Sequence, residues 1–283
     1  MNCETTAGKF GRVMNSAQLD LFAARSSTPW VSNLGPARRI DPETLSDAAL
    51  IAALPNALLA DACALAAETG RRRLRDSVSA LVALCHRFVG FGVDRGIPEQ
   101  VAALEALAAI GGPTASGSVG QMITKGIVQG PNLAAAINAA ARLGVTFPPD
   151  VALPLLRHED QLVRAAACSC LRTGGEIVAT LIELLADVDG EVATAAACTL
   201  GRMGRTEARD RLKRCLTDRP SPRVIEAVTG VADEEAVVFL ARIGRKRPDL
   251  ANFVLSALDE IDQARAAVAA KGLRSWLSHS DRR

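Results

Sequence analysis

The 283-residue sequence predicts an all-α chain: an α-solenoid of stacked antiparallel helix pairs behind a disordered N-terminal tail. Three observations predict it. One helical unit is written twice, since Asp160, Val163, Ala166, Ala167, Leu171 and Gly175 recur 29 residues on as Asp189, Val192, Ala195, Ala196, Leu200 and Gly204, and Leu156 falls on Leu185 by the same step. The 49% hydrophobic fraction is mostly Ala, Leu and Val at helical intervals, punctuated by Gly and Pro. Similar helix endings recur, Leu107-Ala-Ala-Ile110-Gly111, Ala140-Ala-Arg-Leu143-Gly144 and Leu200-Gly-Arg-Met203-Gly204.

Residues 1–41 are rich in Ser, Thr, Gly, Pro and Arg and hold too little apolar surface to fold alone, so they read as a flexible tail; Met14 is an alternative start. Residues 42–277 read as the solenoid and 278–283 as a polar C-terminal tail. Asp41 and Pro42 open a helix over 43–54, a second covers 56–68 and ends at Gly70, and Arg71, Arg72, Arg73 and Arg75 open a third carrying Val78, Leu81, Val82, Cys85 and Val89. Pro98 starts a helix through Ile110, and the Gly-rich segment 112–130 supplies the outer helix of that repeat. Pro148 and Pro149 open the helix before the central pair. In that pair Asp160 and Asp189 cap the helix starts, and Val, Ala, Ala and Leu form a thin buried stripe that lets helices approach closely. Glycine after each stripe ends the helix. Leu212 and Leu216 follow Leu181 and Leu185 at 31 residues, so the outer helices repeat as well. Helices over 223–231, 234–243, 248–258 and 264–277 complete the array, the last as its polar cap.

The string Asp160-x-x-Val163-Arg164-x-Ala166-Ala167-x-x-x-Leu171 resembles the inner helix of HEAT-type repeats, and the short unit is most similar to the HEAT-like repeats named after phycobilin lyases. The similarity extends over about residues 98–243. It implies a right-handed solenoid and is nearly silent on function, because that fold serves scaffolds, lyases and DNA-binding proteins.

Candidate chemistry is sparse. Seven Cys show no CxxC or Cys/His spacing and mostly fall in apolar stripes, as at Cys63, Cys168 and Cys198, which points to reduced, buried thiols and a cytoplasmic setting. Cys168 and Cys170, two apart, project to different sides of a helix. His86, His158 and His279 fit no ligand pattern, although His86 follows Cys85. Segment 120–126 lacks the Gly-Lys-Ser/Thr ending of a phosphate loop, and Asp160, Asp187 and Asp189 read as caps. No catalytic residue, metal site or cofactor is therefore expected. No signal peptide or membrane span is seen.

Two features carry partner hypotheses. The net charge is only +2, yet Arg202, Arg205, Arg209, Arg211, Lys213, Arg214, Arg219 and Arg223 outnumber nearby carboxylates, and Arg242, Arg245, Lys246 and Arg247 form a second cluster. Stacked turns would align them as a stripe for phosphates or an acidic partner, with weak nucleic-acid binding as one use. In the tail, Gln18-Leu19-Asp20-Leu21-Phe22 resembles at all five positions the short motif by which bacterial polymerases and repair proteins bind the replicative sliding clamp. The resemblance implies a tether to that clamp, and the chain as a whole reads as a non-catalytic protein-interaction scaffold or adaptor. The rival expectations are a HEAT-like enzyme, bilin-lyase-like or DNA-glycosylase-like, and a non-specific DNA-binding solenoid; 3% aromatic content with no Tyr argues against base-stacking pockets.

Overall fold

The computed structural model describes residues 40–280 except 173 and 263, with backbone alone at 279 and 280. Among the described residues there are fifteen α-helices: α1 Asp47–Ala53, α2 Leu59–Arg72, α3 Val78–His86, α4 Pro98–Ile110, α5 Gly112–Thr124, α6 Leu133–Arg142, α7 Pro149–Leu156, α8 Gln161–Ala167, α9 Gly175–Leu184, α10 Gly190–Arg202, α11 Arg209–Asp218, α12 Pro222–Thr229, α13 Glu234–Lys246, α14 Ala251–Glu260 and α15 Ala264–Ser280. Alternate helices fall into two layers. One runs α2, α4, α6, α8, α10, α12, α14, each packed on the next; the other runs α3, α5, α7, α9, α11, α13, α15. Contacts join neighbours in sequence, as expected of a solenoid, and one continuous strip of buried Leu, Ala, Val and Ile lies between the layers.

The punctuation acts as its chemistry requires. Asp160 accepts a hydrogen bond from the Leu162 amide at 2.8 Å, and Asp189 accepts from the Glu191 and Val192 amides at 2.9 and 3.0 Å, satisfying donors that have no partner inside the first helical turn. Pro98 and Pro149 sit in first turns, where their missing N–H costs nothing. Gly111, Gly144 and Gly204 follow their helices with φ of 71°, 70° and 72°, a region closed to most side chains. Val163, Ala166, Ala167, Val192, Ala196 and Leu200 are buried.

Several boundaries differ from the expectation. The first helix is broken: Asp41 caps only the short turn Pro42–Thr44, and Ser46 caps α1 anew. Gly70 lies inside α2 and does not end it, because a Cβ there would stand 2.8 Å from Ala106 Cα on α4. Arg71 and Arg72 therefore close α2, and the third helix begins only at Val78. The first copy of the repeated unit is truncated, with α8 ending at Ala167. The chain beyond it makes an isolated parallel bridge between Phe147 and Leu171, the Phe147 amide donating to the Cys170 carbonyl at 2.7 Å. Leu171 is consequently half-buried where full burial was expected, and Gly175 opens α9 where it was expected to end a helix. The last helix runs past Leu277 to Ser280.

The first layer is held close by residues without bulk. A Cβ on Gly201 of α10 would overlap the Ala227 carbonyl oxygen of α12 and sit 2.7 Å from Leu212 Cδ1. Gly201→Ala should therefore force the α10–α12 seam apart, costing about 1–3 kcal/mol and lowering the melting temperature by several degrees in a thermal scan. An unchanged melting temperature would show that this contact does not set the helix spacing.

Candidate functional site

The basic residues of 202–223 do not form one open stripe. Four of them turn into two seams. On the α10 side, Arg211 donates to the Gly190 carbonyl at 2.9 Å and to Thr194 Oγ1 at 3.3 Å, and Arg219 lies 3.6 Å from Glu191. On the α13 side, Arg209 donates to the Val231 carbonyl at 3.0 Å, while Lys213 pairs with Asp233 at 2.7 Å and Glu235 at 2.6 Å. Those two carboxylates, Asp233 first, raise the Lys213 pKa by hydrogen bonding to its charged form. Arg205 pairs with Glu207 at 2.7 Å. Arg202 donates to Thr199 Oγ1 at 3.3 Å, Arg214 to its own helix at Asp210 at 3.4 Å, and Arg223 to Ser169 Oγ at 3.1 Å. A hollow of about 530 Å³ between α10 and α11 contains Arg211, Arg214 and Arg219 together with Glu191 and Asp218, so its charge is mixed.

The second cluster is different. Arg247 pairs with Asp249 at 2.7 Å, but Arg242, Arg245 and Lys246 make no ion pair among the described residues. Arg242 stands over the Phe239 ring at 5.7 Å. All three are exposed along one side of a groove of about 450 Å³ between α13 and α15.

The other candidates resolve into structure. Cys85, Cys168 and Cys170 are buried, and burial pushes each thiol up to about 12, far from a reactive thiolate. Cys168 is the residue after α8 and Cys170 lies in the following turn, its sulfur 3.4 Å from the Ile137 carbonyl oxygen. His86 is exposed at the end of α3 while the neighbouring Cys85 is buried, so the two face apart. His158 Nδ1 accepts from the Asp160 amide at 3.0 Å, and the side chain of His279 lies outside the described residues. Segment 112–130 forms α5 and a turn, with φ of 63° at Gly126. Among the described residues no group of three His, Cys, Asp or Glu could hold a metal ion, and no helix is long and apolar enough to cross a membrane.

Asp187 is more than the cap it was expected to be. It accepts from the Asp189 amide at 2.9 Å and also receives a two-pronged ion pair from Arg164, at 2.9 and 3.0 Å, which lowers its pKa. Arg164 further donates to the carbonyls of His158 and Glu159, tying two successive turns. A second cluster escaped the sequence reading. Glu68, buried, accepts from Arg71 at 2.6 and 2.7 Å and from Arg72, whose other nitrogens reach Asp47 and the carbonyls of Pro42, Glu43 and Leu45. Its signal was present as Glu followed by Arg at i+3 and i+4. The motif Gln18-Leu19-Asp20-Leu21-Phe22 lies outside the described residues.

Residues 149–233 match the family model described as HEAT repeats. That segment spans α7 to α12 and includes both copies of the repeated unit. A search of curated proteins found no match.

Hydrogen bonds from Arg71 and Arg72 pull the Glu68 pKa from 4.5 down to about 2. A carboxylate with a depressed folded-state pKa contributes stability that is whole above its ordinary pKa and is lost as pH falls through the folded value. Wild-type chain should therefore lose stability between about pH 4.5 and 2, and Glu68→Gln should lose less over that window in paired urea titrations. Equal losses would contradict the assignment.

Proposed function

We propose that the chain is a non-catalytic protein-interaction scaffold, an adaptor whose N-terminal motif Gln18-Leu19-Asp20-Leu21-Phe22 tethers it to a sliding clamp of the replication machinery. The observation that carries the scaffold reading is the architecture itself. A helix-pair stack, of which residues 149–233 match HEAT repeats, presents long layered surfaces, and the Arg164–Asp187 pair and Lys213 with Asp233 and Glu235 join successive units. Large hydrophobics remain exposed at both ends, Leu58, Leu59 and Phe91 near the first helices and Val238, Phe253 and Val268 near the last. Against a phosphate-tracking stripe stands the internal pairing of Arg205, Lys213 and Arg219. Against thiol chemistry stands the burial of Cys85, Cys168 and Cys170.

The tether rests on sequence. A glutamine can fix an extended chain by its amide, and the Leu21-Phe22 pair can fill an apolar pocket. Burying those two side chains contributes about 1.5–3 kcal/mol each, offset partly by the ordering of the segment. A micromolar constant requires about 8 kcal/mol, so the site is micromolar at best, a strength suited to a ring that offers several copies of its pocket.

Fluorescence anisotropy of a labelled 16–24 peptide against a purified bacterial sliding clamp tests the tether, alongside the full chain with Leu21→Ala and Phe22→Ala. Expected are micromolar binding that resists added salt, and its loss in the double variant with helicity intact. No affinity at hundreds of micromolar, about 5 kcal/mol or less, would remove the tether from the reading.

A further inference from the structure

We propose that the groove between α13 and α15 docks an acidic, amphipathic helix of a partner protein. The inference deepens the scaffold reading and rests on it.

The groove lies beside a close contact between the two helices. A Cβ on Gly244 would stand 2.5 Å from Leu273 Cδ2 and 3.2 Å from Val254 Cγ1, so a larger residue there would displace those side chains. Arg245 is held over the matching glycine, its Nη2 3.8 Å from where a Gly272 Cβ would be. The Glu234–Arg265 ion pair closes the other end. Between these points the floor is apolar, made by Val237, Val238, Ala241, Val268 and Ala269. Val238 is 42% and Val268 73% exposed, a large cost to leave in water on two adjacent helices.

Charge decides what covers this floor. At the preceding seam the cations of α11 find carboxylates, Lys213 meeting Asp233 and Glu235. At the α13–α15 seam the facing helix supplies Val268, Ala269 and Gly272 instead, and Arg242, Arg245 and Lys246 stay without a carboxylate among the described residues. A ligand must therefore bring apolar side chains on one face and carboxylates at one end. Val238 and Ala241 stand about one turn apart on α13, and α15 offers Val268 and Ala269 beside them, the spacing that receives anchors at i, i+3 and i+4 of a third helix. The 13 residues of α13 span about 20 Å, room for a partner helix of three to four turns. Residues 1–39 carry five basic and two acidic side chains, the wrong sign for this site. A nucleic acid would use the three cations but not the valines, and cations bunched at one end do not follow a phosphate chain.

The probe is a fluorescein-labelled 18-residue peptide of Leu and Glu, leucines at i, i+3, i+4 and i+7, titrated with the full chain. A peptide of equal composition with scrambled order and a 20-nucleotide single-stranded DNA serve as comparisons. The ordered peptide should bind at about 10–100 μM. Arg242→Glu with Arg245→Glu, and separately Val268→Asp, should each weaken it about tenfold or more, while Arg214→Glu on the exposed face of α11 should not. All four positions are exposed, so the variants keep the fold, which circular dichroism verifies. Indifference of peptide binding to both groove variants, equal binding of the scrambled peptide, or DNA binding that needs Arg242 and Arg245 while the peptide ignores Val268→Asp, would overturn the proposal. The Arg242→Glu, Arg245→Glu chain is also titrated with sliding clamp. In that variant clamp binding should persist; with the wild-type chain, clamp binding without binding of the ordered peptide rejects the groove alone, and peptide binding without clamp binding rejects the tether alone.

Discussion

Direct contact between the backbones of successive first-layer helices is the constraint on which the rest of the stack depends. Gly70 lies against Ala106, and Gly201 against Ala227, at distances that leave no space for a Cβ. Gly230 meets the Gly201 carbonyl from the other side of the same seam. Between these points the layer is lined by Ala166, Ala167, Ala195 and Ala196, all buried. Small side chains bring helix axes together, and the dispersion gained over many such contacts replaces the single large core of a globular domain. Small side chains also bring carbonyls within reach of neighbours, so Thr199 Oγ1 donates to the Cys168 carbonyl across the α8–α10 seam at 2.6 Å.

The charged residues follow from that geometry. A thin apolar stripe leaves the turns crowded with polar groups at every seam, and arginine, with five donors, can satisfy several carbonyls at once. Arg72 and Arg164 each do so at a different level of the stack, and Arg211 bonds the Gly190 carbonyl and the Thr194 hydroxyl at a third. These arginines are thereby structural. The α13–α15 seam breaks the rule, with exposed valines beside unpaired cations. That departure marks it as a surface built for something other than the next repeat.

Much of the fold was legible because its punctuation is chemical. Pro98 with Gly111, Pro149 as opener, and Asp189 with Gly204 each act where the residue type says they should. The failures share one trait, a deciding contact that lies far off in the sequence. Glycine has two uses, ending a helix and admitting a neighbour, and Gly70 serves the second, which only Ala106 on another helix reveals. Leu171 and Gly175 were misplaced because the match to Leu200 and Gly204 is real in sequence, while the Phe147–Leu171 bridge ends α8 early in three dimensions. The cations of the candidate site were equally legible as residues, but their pairing was not. Lys213 meets Asp233 twenty residues away across a seam, and no local pattern signals that partner.

The central claim is that each unit is held chiefly by its immediate neighbours through the first layer. Amide hydrogen exchange followed by mass spectrometry tests it directly when wild type is compared with Leu200→Ala, which opens a cavity in the last turn of α10 at a fully buried position. The account predicts lost protection in α8 to α12, fading along the stack, with α2 to α4 unchanged. Uniform loss across every described helix, or loss confined to α10, would contradict it.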